Sequence, residues 1–114
     1  MQRQDTRRDQ PAEDAVSFGK FRLYPAARLL ERDGAPIRIG GRALDILILL
    51  AEHAGRVVSK KELIARVWSD VTVDEGSLRF HVTALRKALG DGRSGARYVT
   101  NVPGRGYSLV VPIL

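Results

Sequence analysis

Three kinds of hydrophobic spacing succeed one another along the chain. Residues 1–17 show no hydrophobic period and alternate charges freely, which predicts a disordered or loosely attached tail outside the fold. From Phe18 onward, Phe18, Leu23, Leu29, Leu30, Ile37 and Ile39 fall in short runs interrupted by Tyr24-Pro25 and Asp33-Gly34. This spacing predicts three short antiparallel strands, with Asp33-Gly34 turning the second into the third.

The period then lengthens to that of a helix. Arg42–His53 holds Ala43, Leu44, Ile46, Leu47, Ile48, Leu49, Leu50 and Ala51 and stops at Gly55, the pattern of a deeply buried helix with a glycine exit. Val57-Val58 reads as a brief extended piece. Ser59, followed three residues later by Glu62, fits a capping box that opens a helix over Lys60–Trp68, with Leu63, Ile64 and Val67 as its apolar face. After a connection from Asp70 to Glu75, a longer helix is predicted over residues 76–89, closed by Gly90 and an Asp91-Gly92 turn. At about 100° per residue, Leu78, Val82, Leu85 and Leu89 form one stripe. Gly76, Arg79, Phe80, Thr83, Arg86 and Lys87 are left on the outer arc. Two β-prone runs, 98–102 and 107–111, flank Pro103-Gly104-Arg105-Gly106 and predict a hairpin.

At 114 residues the chain has room for one domain, over residues 18–114. The absence of cysteine excludes disulfides, thiolate nucleophiles and cysteine-based metal sites. The longest apolar run, Ile46–Ala51, is far short of the roughly 20 residues a membrane helix needs. Nothing resembles a secretory leader, so the chain is expected to be cytoplasmic. Charge adds a direction. The net charge is +6, yet residues 1–17 hold three arginines against four acids, so the excess lies in the folded part. Within residues 76–107, Arg79, Arg86, Lys87, Arg93, Arg97 and Arg105 face Asp91 as the single acid. Such a concentration favours an anionic partner.

Two consecutive helices, the second basic on its outer arc, fit a helix-turn-helix whose second helix enters the major groove of DNA; a hairpin directly after it can act as a wing. Phosphate neutralisation needs Lys and Arg on one surface, and base reading needs side chains on a rigid element. Phe80 has no core to fill on the outer arc and is placed to meet a thymine methyl, the alternative being packing on the wing or the preceding loop. Arg79 and Arg86 reach base edges or phosphates, and Lys87 a phosphate. His53 and His81 lack companions at metal-ligand spacing and are read as structural. Asp45, Glu52, Glu62, Asp70, Asp74 and Glu75 are read as helix-face or cap residues rather than a catalytic pair. No nucleophile elbow, phosphate-cradling loop or catalytic triad is present, so neither an enzyme nor a cofactor is expected.

Gly55-Arg56-Val57-Val58-Ser59-Lys60-Lys61-Glu62-Leu63 leading to Val67-Trp68, Val73-Asp74-Glu75 before Ser77–Val82, Leu85–Leu89, and Val102-Pro103-Gly104-Arg105-Gly106-Tyr107 stand in register with a known pattern. Over residues 18–112 the chain resembles the winged-helix output domain of OmpR/PhoB-type bacterial transcription regulators, including one-component relatives. The resemblance implies an α+β winged helix with an N-terminal antiparallel sheet, a three-helix core and a C-terminal hairpin. It implies double-stranded DNA as partner, recognition helix 76–89 in the major groove and wing 97–111 at the minor groove. By position it makes Ser77, Phe80, Thr83 and Arg86 groove-facing and places Lys60 and Trp68 at phosphates. With the residue reading, the expected base contacts are Ser77, Arg79, Phe80, Thr83 and Arg86. Lys60, Trp68, Lys87, Arg97, Arg105 and Tyr107 are expected at the backbone or in the wing.

Family members often bind as head-to-tail pairs on direct repeats. Pro103 stands where two-component members commonly carry Arg before the turn glycine, which shifts the wing contact to Arg105. Gly76, Thr83 and Ala84 stand where phosphate-starvation-type relatives carry Arg, so a base preference does not transfer. A receiver domain would precede this region, and residues 1–17 are too short to hold one. A competing reading is a winged-helix interaction module that docks RNA polymerase or another regulator; the basic helix and basic wing favour DNA.

Overall fold

A computed structural model describes residues 15–92 and 97–113. Residues 1–14 of the tail expected over residues 1–17, Arg93 of the basic loop and Leu114 lie outside the described residues. Two compact units divide the chain, the first reaching Arg38 and the second spanning Ile39–Pro112.

The first unit carries a four-stranded antiparallel sheet, β1 (Val16–Phe18), β2 (Phe21–Tyr24), β3 (Leu29–Arg32) and β4 (Ala35–Pro36), in that spatial order. Three strands were expected. The first apolar run is itself a hairpin, because Gly19 takes φ 56° and lets Phe18 pair with Phe21 across a two-residue turn. Val16 and Ser17 are thereby strand residues, paired with Leu23 and Arg22, so the fold begins two residues inside the segment set apart as a tail. The Asp33-Gly34 turn consequently joins β3 to β4. Both residues have positive φ, 52° and 85°, the geometry of a type I′ turn that matches strand twist. Phe18, Phe21, Leu23 and Leu30 are buried, and the Phe18 and Phe21 rings stack at 5.5 Å.

The second unit is built on three helices: α1 (Gly41–Glu52), α2 (Lys60–Val67) and α3 (Glu75–Leu89). They begin and end within a residue of the spans expected from hydrophobic period. In α1, Ala43, Leu44, Ile46, Leu47, Leu49 and Leu50 are buried; each large side chain there contributes roughly 1.5–3 kcal/mol relative to exposure. Ser59 caps α2 as its sequence announces, its Oγ accepting from the Glu62 N–H at 3.0 Å. Asp74 caps α3 in the same way, Oδ1 accepting from the Ser77 N–H at 3.0 Å. At the other end of α3, Gly90 adopts φ 72°, its N–H donates to Lys87 O at 3.1 Å, and the Asp91 N–H donates to Arg86 O at 2.9 Å. These two bonds form a Schellman motif, and they turn Asp91 back over the last turn of the helix.

A second sheet completes this unit, β5 (Val58–Ser59), β7 (Gly106–Leu109) and β6 (Val99–Val102), with β7 in the centre. All four residues of β7 are buried. Gly106 is required where β7 meets β5: a Cβ there would lie 2.0 Å from the Val58 carbonyl oxygen. Val102 pairs with Gly106 across Pro103-Gly104-Arg105, and Gly104 at φ 74° supplies the left-handed residue of this three-residue loop. The architecture is an α+β winged helix.

Gly106→Ala is expected to destabilise the domain by more than about 3 kcal/mol, because backbone must move to admit the methyl. Gly104→Ala, with open space around it, is expected to cost only the left-handed strain of about 1 kcal/mol. Denaturant melts of the two variants check the contrast.

Candidate nucleic-acid interface

The buried stripe of α3, Leu78, Val82, Leu85 and Leu89, leaves its opposite side bare. Gly76, Arg79, Phe80, Thr83, Ala84 and Lys87 are exposed, whereas Ser77, His81 and Arg86 are half-buried at the margins. Phe80 is 68% exposed, an unusual degree for a phenylalanine on a regular helix. Its ring meets the edge of His81 at 5.0 Å, and His81 meets Trp68 at 5.4 Å. His81 Nδ1 donates to Ser77 O at 2.8 Å, which holds the imidazole against its own helix. His53 does likewise to Leu49 O at 3.2 Å.

Arg42 is a member of this cluster that sequence reasoning missed. Its guanidinium lies 5.6 Å from the Trp68 ring centroid, and one Nη donates to Val67 O at 2.6 Å, closing the C-terminus of α2. The period of α1 marks only a helix start at this position, and the partner lies 25 residues ahead in sequence.

The expected backbone and wing residues separate into two groups. Lys87, Arg97 and Arg105 are exposed, Arg105 at the tip of the hairpin and Arg97 just before β6. Trp68 and Tyr107 are each only 6% exposed, so neither presents its ring as a surface group. Trp68 caps α2 beneath Arg42, and Tyr107 sits in the central strand paired with Val58. Lys60 is half-buried at the start of α2 and pairs with Glu75 at 3.6 Å.

Asp91, read from sequence as a turn residue, is the second functional candidate that was missed. Its side chain is 1% exposed, and Oδ2 accepts from the backbone N–H groups of Tyr98 and Val99 at 3.1 and 2.8 Å. Arg86 approaches the same oxygen through Nε at 3.8 Å while remaining 40% exposed. One carboxylate thus joins the end of α3 to the first strand of the hairpin. Among the described residues there is no cluster of His, Asp and Glu suited to a metal ion, and no helix is long and apolar enough to cross a membrane.

This arrangement, a bare basic helix beside a basic hairpin, has relatives. Residues 34–109 match the family described as "Transcriptional regulatory protein, C terminal", whose members include the OmpR/PhoB-type DNA-binding domains. The chain belongs to that family. Its sequence is 33% identical over 100 residues to the transcriptional activator CadC of Escherichia coli, covering 87% of this chain and 20% of CadC. This regulatory domain therefore spans about a fifth of the length of that relative. Its fold superposes on the DNA-binding domain of Escherichia coli CadC with a TM-score of 0.78 at 32% identity, covering 89% of this chain and 95% of the other. The Klebsiella pneumoniae RstA DNA-binding domain, solved in complex with the RstA box, matches with a TM-score of 0.72 at 26% identity, covering 84% and 96%.

Exposure separates the two aromatic positions of the regulatory domain. Phe80→Ala is expected to change stability by no more than about 0.5 kcal/mol, as for other surface positions. Trp68→Ala, which empties a buried site, is expected to cost about 3–5 kcal/mol. Thermal denaturation of both variants tests this division.

Proposed function

We propose that this domain binds double-stranded DNA sequence-specifically to regulate transcription, as a binding module rather than an enzyme, in the bacterial cytoplasm. The observation that carries the reading is the exposed side of α3: Arg79, Phe80, Thr83 and Lys87 stand bare there, and Glu75 in the first turn is the helix's sole acid. A helix about 22 Å long, at 1.5 Å per residue, with one side free of core duty fits the major groove. There Arg donates to guanine and an aromatic edge meets a thymine methyl. Ser77, Arg79, Phe80, Thr83 and Arg86 take the base-facing positions. Lys60, Lys87, Arg97 and Arg105 take phosphates, with Arg105 carried by the hairpin to the adjacent minor groove. The RstA domain solved with its DNA box supports the same docking by likeness of fold. Binding in head-to-tail pairs on direct repeats follows from the family.

A protein-docking reading is favoured by one feature, Val71, which is 52% exposed in the connection between α2 and α3. It predicts retention of RNA polymerase after nuclease treatment with no retardation of DNA.

Selection from a random double-stranded library, followed by titration of the enriched site over a range of salt, tests the DNA reading. A defined motif whose affinity falls steeply with salt is expected; no enrichment and no retardation at low salt would sink it. Lys87→Ala should weaken binding to all sequences alike and flatten the salt slope by about 1. Phe80→Ala should leave that slope unchanged and relax selectivity at a thymine position.

A further inference from the structure

We propose that Asp91 is a positioning residue that orients Arg86 to read a guanine, so that one buried carboxylate specifies one base of the site. The proposal rests on the DNA reading above and deepens it by naming a source of its specificity. Four observations lead to it. The Schellman bonds at Gly90 and Asp91 bring residue 91 back to Arg86, with the Asp91 N–H on Arg86 O at 2.9 Å. The Asp91 side chain is 1% exposed, and Oδ2 is fixed by the Tyr98 and Val99 N–H groups at 3.1 and 2.8 Å, so the carboxylate cannot swing out. Arg86 meets that same oxygen through Nε at 3.8 Å. Its side chain is nonetheless 40% exposed, at the edge of the bare face of α3.

The consequence follows from the shape of guanidinium. Its donors lie in one plane in a rigid fork, and an arginine whose Nε edge faces a carboxylate in an ion pair keeps its two Nη groups for another acceptor. Guanine offers O6 and N7 as a matching acceptor pair in the major groove. A free arginine gives up rotamer freedom on docking, whereas one already leaning on a buried carboxylate gives up less. The carboxylate also partly neutralises the guanidinium, which lowers its general attraction to phosphate while leaving directional hydrogen bonding intact. Asp91 therefore trades non-specific affinity for selectivity at one base pair. Because the same oxygen holds Tyr98 and Val99, the orientation of Arg86 is tied to the start of β6.

The test applies library selection to the wild-type chain, Asp91→Asn and Arg86→Lys. Asparagine keeps an oxygen for the two backbone N–H groups and removes the charge; lysine keeps the charge and removes the fork. Both variants are expected to lose preference for guanine at the same single position by about tenfold, the scale of one bidentate contact. The rest of the motif should persist, and low-salt affinity for unrelated DNA should be kept in Arg86→Lys and rise in Asp91→Asn. Combining the two changes should add nothing further at that position. Loss of guanine preference in Arg86→Lys with full retention in Asp91→Asn overturns the proposal. A uniform loss across all sequences in Arg86→Lys also overturns it, because it would make Arg86 a phosphate contact. Should circular dichroism show Asp91→Asn unfolded, Asp91→Glu, which keeps the charge on a longer arm, takes its place under the same criterion. A wild-type chain that enriches no motif overturns the DNA reading itself, an outcome distinct from a motif that these variants leave unchanged.

Discussion

The approach of Gly106 to the Val58 carbonyl is the contact on which the placement of the hairpin depends. β7 is buried at every residue and lies between β5 and β6, so the two-residue strand β5, with the Gly55 N–H donating to Leu109 O at 3.0 Å, pairs the hairpin to the segment leading into α2. Pairing at Ser59 with Gly106 brings that segment so close that no side chain fits between. Ser59 is also the N-cap of α2. A single residue thus begins the second helix and ends the strand that carries the hairpin. At the opposite edge, Asp91 grips the first residues of β6 from the end of α3. The hairpin is held on one side by backbone pairing from Gly55 to Ser59 and on the other by a buried carboxylate at Tyr98 and Val99. Its orientation relative to α3 is accordingly set by short, directional bonds, which suits the proposed docking of helix and hairpin on one duplex.

The cations of this surface fall into two energetic classes. Lys60 and Arg86 have acidic partners, Glu75 and Asp91. Arg79, Lys87, Arg97 and Arg105 have no ion-pair partner among the described residues. An unpaired cation releases counterions when it meets phosphate and gives up nothing else of electrostatic worth. A paired one must exchange or share its carboxylate. For the Lys60–Glu75 pair, half-buried at the lysine and open at the glutamate, that exchange is cheap, since surface pairs contribute about 0–1 kcal/mol. For Arg86 the carboxylate is buried and cannot follow, so sharing is the lower-energy course.

Local signals in the sequence were sufficient where the chemistry was local. The stripe Leu78–Val82–Leu85–Leu89, the Ser59 cap, the Gly90 stop and the hairpin at Gly104 each depend on residues within a few positions, and each stands where the pattern put it. β1 was lost because Val16-Ser17 sits beside a polar segment, and a strand of three residues is too short to show a period of two. Trp68 and Tyr107, read by likeness of position as backbone or wing residues, are each 6% exposed, a degree of burial that position in a motif does not reveal. Arg42 and Asp91 were missed for a different reason. Their partners, Val67 and Trp68 for one and Tyr98 and Val99 for the other, come together only when the helices and the second sheet assemble. Part of the Asp91 signal was nonetheless present: a residue directly after a helix-ending glycine lies over the last turn whenever a Schellman motif forms.

The reading face of α3 has an internal asymmetry that bears on what it selects. At about 100° per residue, Arg79 and Arg86 fall on one flank, while Ala84 and Ser77 fall on the other. Lys87 and Phe80 lie directly opposite the buried stripe, with Gly76 and Thr83 between them and the arginines. The small residues Gly76 and Thr83 leave room beside Arg79 and Arg86, room that arginines at those two positions would fill. Phe80 and Lys87 therefore point straight out from the face, and the two arginines reach in from its flank. A helix built this way presents a fork of donors to one base step and an apolar edge to the next. Its selectivity should therefore rest on few positions, each set by one well-oriented side chain, rather than on a row of interchangeable cations.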